Sequence, residues 1–160
     1  MSDHRNPPEP KERDMILETD TPLAPGDADT PHSAAPERQV LVIDDDVTHR
    51  MVICRLAQHL GYAPTEAGTI AEAAQLMSVQ HFDCMTLDLH MGAQSGTELL
   101  EVMNSKQSNV PLIVISGADD EERWEVLRVA TLYGIRVTEV AKPLRASKLR
   151  EVFVDIEAIA

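Results

Sequence analysis

The stretch VLVIDDD at residues 40–46 joins an apolar run directly to three carboxylates. An apolar run rich in β-branched residues is typical of a strand that is covered on both faces. Three further apolar runs end on polar residues, namely Asp88, Ser116 and Lys142. Because the carboxyl ends of parallel strands lie at one edge of a sheet, where open α/β sheets bind ligands, we expect these polar residues to share one pocket.

Strand and helix patterns alternate five times from this stretch onward. The predicted strands are residues 40–43, 62–66, 82–87, 112–115 and 137–141. Pro64 cannot donate a ladder hydrogen bond, so the second strand is expected at an edge. The pattern predicts an α/β fold, a flavodoxin-like (βα)5 doubly wound parallel sheet with strand order 2-1-3-4-5.

The helices between these strands each show apolar residues at spacings of three and four, which predicts one face for the sheet. The residues expected on those faces are Val52, Leu56 and Leu60; Ile70, Ala73, Ala74 and Met77; Leu99, Leu100 and Met103; Leu127, Ala130 and Thr131; and Leu149, Val152, Phe153 and Ile156. Gly61 and Gly134 stand where the first and fourth helices should end.

Residues 1–38 differ in composition from the rest of the chain. They contain seven of the ten prolines, nine acidic residues and four Lys or Arg. Such a segment buries too little apolar surface to offset the entropy lost on ordering it. We therefore expect a Pro-rich, acidic N-terminal arm at 1–38, disordered or loosely attached, and one folded domain at 39–160.

Composition also narrows the classes of partner and compartment. The formal net charge is −13, and no cluster of Lys and Arg is present that would bind nucleic acid or anionic lipid. No apolar stretch reaches the roughly 20 residues of a transmembrane helix, and the N-terminus lacks a secretory signal. We expect a cytoplasmic protein without nucleic-acid or membrane partners. Cys54 and Cys84 lack metal-ligand spacing and are expected to be reduced packing residues.

The three adjacent carboxylates indicate a cation site. Asp44, Asp45 and Asp46 repel one another unless a cation or hydrogen bonds compensate them, and Mg²⁺ is commonly held by one or two carboxylates with water and phosphate oxygens. Asp46 is expected to cap the first helix instead, because the helical pattern begins immediately after it.

The remaining strand-end residues suit phosphate chemistry. The carboxylate of Asp88 can ligate the cation or attack phosphorus to give an acyl phosphate. Ser116 can donate a hydrogen bond to a phosphoryl oxygen, and Lys142 can neutralise one. The order of these residues along the chain and their places at strand ends together predict a phosphoryl-transfer site.

From Gln39 to Ala160 the chain resembles the receiver domain of two-component response regulators, a family that includes stand-alone chemotaxis receivers. The matching stretches are LVIDDDVTHR at 41–50, LDLHMGAQSG at 87–96, PLIVISG at 111–117 and VAKPL at 140–144. The resemblance implies that Asp88 is the phospho-acceptor. It implies a sensor histidine kinase or a histidine phosphotransfer protein as the donor, and no enzymatic activity beyond Mg²⁺-dependent self-phosphorylation and autodephosphorylation.

The same resemblance implies a ligand set for the ion, which would be Mg²⁺ or, as the alternative, Mn²⁺. Asp45 and Asp88 would be direct ligands. Asp44 would hold the ion through water, and the backbone carbonyl of His90 would complete the protein ligands.

The resemblance also assigns the switch. Ser116 would be the hydroxyl that closes on the phosphoryl group, and Lys142 would pair with that group. The peptide bond between Lys142 and Pro143 is expected to be cis, which X-Pro bonds permit at small cost.

Three residues depart from the family pattern. Gly92 stands where a proline is common, which predicts a more mobile loop. Glu139 replaces the aromatic residue often found three residues before the lysine, so an aromatic side chain cannot rotate there as a switch. His90 places a bulky side chain beside the acceptor, where it would either alter the access of water or act as a plain spacer.

Only 18 residues follow Lys142, so we expect no output domain. The sequence then predicts a single-domain regulator that signals through protein contacts, with a phosphate sink or relay intermediate as the alternative. The fourth helix, fifth strand and fifth helix are expected to form the partner or homodimer face, leaving a monomer or a homodimer. The charged residues expected to be exposed there are Glu122, Arg123, Arg128, Arg136, Glu139 and Arg145.

Two other classes fit parts of the sequence. The stretch DDDVT at 44–48 resembles the nucleophile loop of haloacid-dehalogenase-like phosphatases, with Asp44 as nucleophile and Asp46 as acid and base. That interpretation lacks the family's final acidic pair and a cap domain. A receiver-like interaction module that is never phosphorylated is the other class, and the intact acceptor, acids, hydroxyl and lysine argue against it.

Overall fold

The computed structural model describes residues 38–117 and 121–159, and these form five strands and five helices. The strands are β1 (Arg38–Ile43), β2 (Tyr62–Ala67), β3 (Cys84–Asp88), β4 (Leu112–Ser116) and β5 (Val137–Ala141). The helices are α1 (Val47–His59), α2 (Ile70–Val79), α3 (Gly96–Ser105), α4 (Glu121–Tyr133) and α5 (Ala146–Ile159).

All neighbouring strands pair in parallel, and their order is β2-β1-β3-β4-β5. The predicted flavodoxin-like (βα)5 fold and its strand order are confirmed. Pro64 lies in the edge strand β2, as its missing N–H requires.

Two apolar clusters cover the two faces of the sheet. Alternate strand residues point to opposite faces, so Leu41 and Ile43 pack with α2, α3 and α4, whereas Val40 and Val42 pack with α1 and α5. Both free cysteines lie in the second cluster, and burial raises the pKa of the Cys54 thiol to about 11 and that of Cys84 to about 12. They are packing residues, as predicted.

Several strand ends differ from the predicted ones. β1 begins at Arg38, the last residue assigned to the N-terminal arm, because Arg38 pairs with Tyr62 and its guanidinium binds Glu157 at 2.7 Å. The other residues of the predicted arm lie outside the described residues. β3 and β4 continue to Asp88 and Ser116, so both polar residues are still held in the sheet.

Two helix faces are rotated from the predicted ones. In α1 the buried residues are Ile53, Cys54 and Ala57, while the predicted Val52, Leu56 and Leu60 are half-buried. In α4 Val126 is buried, whereas the predicted Thr131 is exposed and its hydroxyl donates to the carbonyl of Leu127. Apolar residues on two adjacent stripes leave the rotation of a helix open at the level of sequence.

The predicted helix ends at Gly61 and Gly134 are confirmed. Both glycines follow their helices with φ angles of +84° and +68°, the left-handed region that glycine adopts without a steric penalty. Within residues 38–117 and 121–159, no helix has the length and apolar character needed to cross a membrane.

Candidate functional site

The carboxyl ends of β1 and β3 bring two buried carboxylates together. Asp44 is 1% exposed and Asp88 is 2% exposed. Asp44 is fixed by three bonds: its N–H donates to the carbonyl of Ala67 at 3.1 Å, its Oδ1 accepts from the N–H of Asp46 at 2.8 Å, and its carbonyl accepts from Nη1 of Arg50 at 2.6 Å. The loop after β1 is therefore held rigidly at its first residue.

Asp46 is the N-cap of α1, as predicted. Its Oδ1 accepts hydrogen bonds from the N–H groups of Thr48 at 2.7 Å and His49 at 3.2 Å. The hydrogen bond from the backbone N–H of His49, more than any other cause, lowers the pKa of Asp46 below its ordinary value. The carboxylate that caps the helix is thus committed to the backbone.

Asp88 has a cationic partner from the far side of the sheet. Nζ of Lys142 lies 2.9 Å from Oδ2 of Asp88, and the backbone N–H of His90 lies 3.0 Å from Oδ1. Both carboxylate oxygens are therefore hydrogen-bonded. The N–H of Lys142 also donates to the carbonyl of Ser116 at 2.8 Å, which joins the ends of β4 and β5.

Ser116 is buried at the end of β4, one strand away from Asp88. Its backbone carbonyl is the acceptor that binds Lys142. The peptide bond between Lys142 and Pro143 is cis. The four predicted residues Asp44, Asp88, Ser116 and Lys142 thus meet at one edge of the sheet.

This pocket holds an excess of negative charge. Burial, and secondarily the neighbouring charge of Asp88, raises the pKa of Asp44 to about 6. One ammonium group, that of Lys142, faces two buried carboxylates. Either a proton or a bound cation relieves the remaining charge, and oxygen donors suit a hard divalent ion.

His49 is a site residue that the sequence analysis missed. Its Nδ1 lies 3.7 Å from Oδ2 of Asp44, and one donor atom each from His49, Asp44 and Asp88 lie within 4.8 Å of one another. The signal was its place in the first turn of α1, directly behind the Asp46 cap. A single histidine in a helical pattern is too common to single out by itself.

Asp45 and His90 lie at the rim of the pocket. The side chain of Asp45 is exposed and faces the loop after β3, where its Oδ2 is 3.9 Å from the position of a Cβ on Gly92. Asp45 is not among the donors that cluster within 4.8 Å. The exposed ring of His90 lies beside Gly117, 3.7 Å from the position of a Cβ there.

Gly92 has a φ angle of +64°. Proline is fixed near −65°, so the proline that is common at this position in the family could not adopt this backbone.

Three of the six residues expected on the exposed charged face are not exposed. Glu122, Arg123 and Glu139 are all half-buried, and each binds another residue of the chain. That part of the expectation was wrong, because these side chains at the start of α4 and in β5 bind neighbouring elements. Arg128, Arg136 and Arg145 are exposed.

The sequence model of the response regulator receiver domain family matches residues 40–153 of this chain. The chain belongs to the response regulator receiver family. Receiver domains take part in two-component signalling, where they interact with histidine kinases or phosphotransfer proteins. This membership favours a receiver over the phosphatase interpretation.

Curated relatives contain the receiver as a part. The regulatory protein VirG of Agrobacterium fabrum is 33% identical over 92 residues, which are 58% of this chain and 36% of VirG. The sensor protein EvgS of Escherichia coli is 29% identical over 85 residues, which are 53% of this chain and 7% of EvgS. The receiver described here thus spans about a third or less of the length of these two relatives.

Solved receiver structures share the fold. The receiver domain of the Francisella response regulator 1452 aligns with a TM-score of 0.64 and 25% identity, covering 77% of this chain and 99% of that one. The chemotaxis response regulator CheY4 of Vibrio cholerae aligns with a TM-score of 0.63 at 18% identity, covering 74% and 98%, and shows the fold alone.

Proposed function

We propose that this receiver accepts a phosphoryl group on Asp88 from a histidine kinase or a histidine phosphotransfer protein and signals through protein contacts. The observation that supports it most is the buried Asp88 carboxylate, which lies 2.9 Å from the Lys142 ammonium at the end of the central strand. A buried carboxylate with a cation at its side is suited to a reaction in which a phosphoryl group brings further negative charge.

In the proposed reaction, a carboxylate oxygen of Asp88 attacks phosphorus. The new oxygen–phosphorus bond forms as the bond between phosphorus and the donor imidazole nitrogen breaks, and the donor leaves as histidine. Such transfers require in-line positioning and charge stabilisation more than covalent chemistry by the protein. Lys142 neutralises a phosphoryl oxygen, and the hydroxyl of Ser116 donates a hydrogen bond to another.

The residues fit a divalent cation. Asp44 and Asp88 are two buried carboxylates, and the single ammonium of Lys142 leaves part of their negative charge unbalanced. The raised pKa of Asp44 reflects its burial and the nearby charge of Asp88. We assign Asp45, Asp88 and the backbone carbonyl of His90 as direct ligands, and Asp44 as a ligand through water. When bound, Mg²⁺, or Mn²⁺ in its place, would neutralise negative charge on the phosphoryl oxygens. Asp46 is excluded from this set because it caps α1.

Downstream, we propose that this receiver acts in the cytoplasm and signals through contacts with other proteins, with a phosphate sink or relay as the alternative role. Exposed Arg128, Arg136 and Arg145 leave the face made of α4, β5 and α5 as the proposed contact surface for a target or a second copy.

The test is phosphotransfer with purified components. Incubation with Mg²⁺ and a small acyl-phosphate donor, or with a phosphorylated histidine kinase, is expected to add one phosphoryl group to the intact protein. Removal of divalent cations by EDTA should prevent the addition, and Asp88→Asn should abolish it. A wild-type protein that stays unmodified with every donor in the presence of Mg²⁺ would leave only the interaction-module interpretation.

A further inference from the structure

Glu139 stands in β5 at the position where related receivers often carry an aromatic ring. Its carboxylate forms an ion pair with the guanidinium of Arg123 in α4. The side chains are 33% and 30% exposed respectively, so the pair is only partly screened by solvent. The residue that replaces the ring is therefore committed to a specific contact with α4.

Arg123 has a second partner next to it in the chain. Its guanidinium carbon lies 4.8 Å from the centroid of the Trp124 ring, within the range of a cation–π contact. Trp124 is 67% exposed, although tryptophan is a large apolar side chain. The guanidinium that Glu139 binds thus also lies against the exposed Trp124 ring.

The other side of the same helical turn is bound to α3. Oε1 of Glu122 accepts a hydrogen bond from Oγ of Ser95 at 2.6 Å and another from the N–H of Gly96. Ser95 is the N-cap of α3, so this carboxylate lies where a helix N-terminus favours negative charge. The first turn of α4 is consequently held by α3 on one side and by β5 on the other.

We propose that Glu122, Arg123 and Glu139 form a polar latch on the first turn of α4, and that phosphorylation opens its Arg123–Glu139 arm. The inference rests on the proposed function, because Ser116 is the link. Ser116 ends β4, in which Val114 pairs with Glu139 of β5, so movement of Ser116 toward a phosphoryl group on Asp88 acts on the strand pair that holds Glu139. The latch takes the place of a rotating aromatic side chain.

The Arg123–Glu139 arm is the one expected to open. Glu122 binds a hydroxyl and a backbone N–H at a helix start, whereas Arg123 and Glu139 hold each other by a single partly exposed ion pair. Pairs of this exposure shift an equilibrium by about two- to fivefold. A bias of this size keeps α4 in place before phosphorylation and is still small enough for a ligand to reverse it.

Hydrogen exchange of the first-turn amides of α4 tests the latch in the unphosphorylated protein. Glu139→Gln keeps the shape of the side chain and removes its charge, and we expect it to speed exchange there by about two- to fivefold. The matched control is Glu125→Gln, which removes the exposed ion pair with Arg128 in the same helix. The double variant Arg123→Glu/Glu139→Arg swaps the two charges and should restore slow hydrogen exchange. Equal effects of Glu139→Gln and Glu125→Gln would overturn the proposal.

The link to phosphorylation is tested on the full chain with Mg²⁺ and beryllofluoride, which stands in for the phosphoryl group on Asp88. Trp124 is the only tryptophan of the chain, so its quenching by acrylamide reports the latch directly. We expect beryllofluoride to change quenching and exchange in the wild type, and Glu139→Gln to show the change already without it. Bound beryllofluoride, seen by fluorine NMR, with unchanged Trp124 quenching and exchange would overturn the latch. Absence of bound beryllofluoride would instead be the failure of the proposed function.

Discussion

At the scale of single residues, the pocket is defined by carboxylate charges whose burial destabilises the folded protein. Asp44 and Asp88 are both buried, and Lys142 balances only one of them. The hydrogen bond from Asp46 and the contact with Arg50 fix Asp44 in this position despite the electrostatic cost. A site that is unfavourable in the free protein gains stability when a cation or a proton enters.

Asp44 should therefore make stability depend on pH. Its pKa is raised from 3.8 to about 6, so between these values the folded protein binds more protons than the unfolded chain. The free energy of unfolding must then fall as pH rises through that window and stay lower above it, by on the order of 3 kcal/mol. The Asp44→Asn variant should be more stable than the wild type at pH 7.5 without divalent ions. Its free energy of unfolding should also change less between pH 4 and 6. Urea unfolding in EDTA at several pH values measures this, and an Asn variant that is less stable at pH 7.5 would contradict it.

Asp45 and Asp46 should separate metal binding from helix stability. Asp45→Ala removes a proposed direct ligand and should weaken Mg²⁺ binding and phosphorylation with little change in stability. Asp46→Ala removes the cap of α1 and should cost about 1 kcal/mol of stability with a smaller effect on Mg²⁺. Calorimetric Mg²⁺ titration and urea unfolding of both variants provide the comparison. Equal losses of Mg²⁺ affinity would mean that the register of the acidic loop is misassigned.

At the scale of elements, each site residue lies where a strand ends and a loop or helix begins. Asp88 and Ser116 are the last residues of β3 and β4, and Asp46 is the cap of α1. The loop after β3 leads to α3, which packs closely on its neighbours at Gly96. The rigidity of the site therefore depends on these helix starts.

Gly96 is a close-packing position at the start of α3. A Cβ there would lie 2.9 Å from Cδ2 of Leu89 and 3.1 Å from Cγ2 of Val126. Gly96→Ala should lower the free energy of unfolding by about 1–3 kcal/mol through overpacking. The control is Gly68→Ala, whose nearest atom is Nη1 of Arg50 at 3.4 Å and which should have a clearly smaller effect. Chemical denaturation of both variants checks this, and equal losses would contradict the packing argument.

The sequence predicted the elements and the convergence of Asp44, Asp88, Ser116 and Lys142, because apolar runs and strand ends are local patterns. It did not predict the rotation of α1 and α4, which depends on packing between distant elements. His49 and the pairing of Arg123 with Glu139 were missed for the same reason. Their partners are far away in the chain or separated by a turn, and only the folded backbone brings them together.

At the scale of the whole molecule, the described receiver accounts for every predicted site residue. Among residues 38–117 and 121–159, the two apolar clusters consist of residues from Val40 onward.

Removal of residues 1–37 should leave folding and phosphorylation unchanged. Arg38 is retained because it starts β1 and binds Glu157. The truncated chain should match the full chain in thermal midpoint and in the extent of Asp88 phosphorylation. A matched variant that also carries Arg38→Ala tests whether the boundary matters. A large drop in the midpoint after removal of 1–37 alone would show that the segment supports the fold.

The central claim is that Asp88 carries the phosphoryl group, and reductive mapping tests it most directly. Borohydride reduces an acyl phosphate to an alcohol, so a phosphorylated aspartate is converted to homoserine at its own position. After phosphorylation with Mg²⁺, reduction and proteolysis, peptide mass spectrometry should find homoserine at position 88 and aspartate unchanged at 44, 45 and 46. Homoserine at position 44, persisting in Asp88→Asn and absent from Asp44→Asn, would contradict the account.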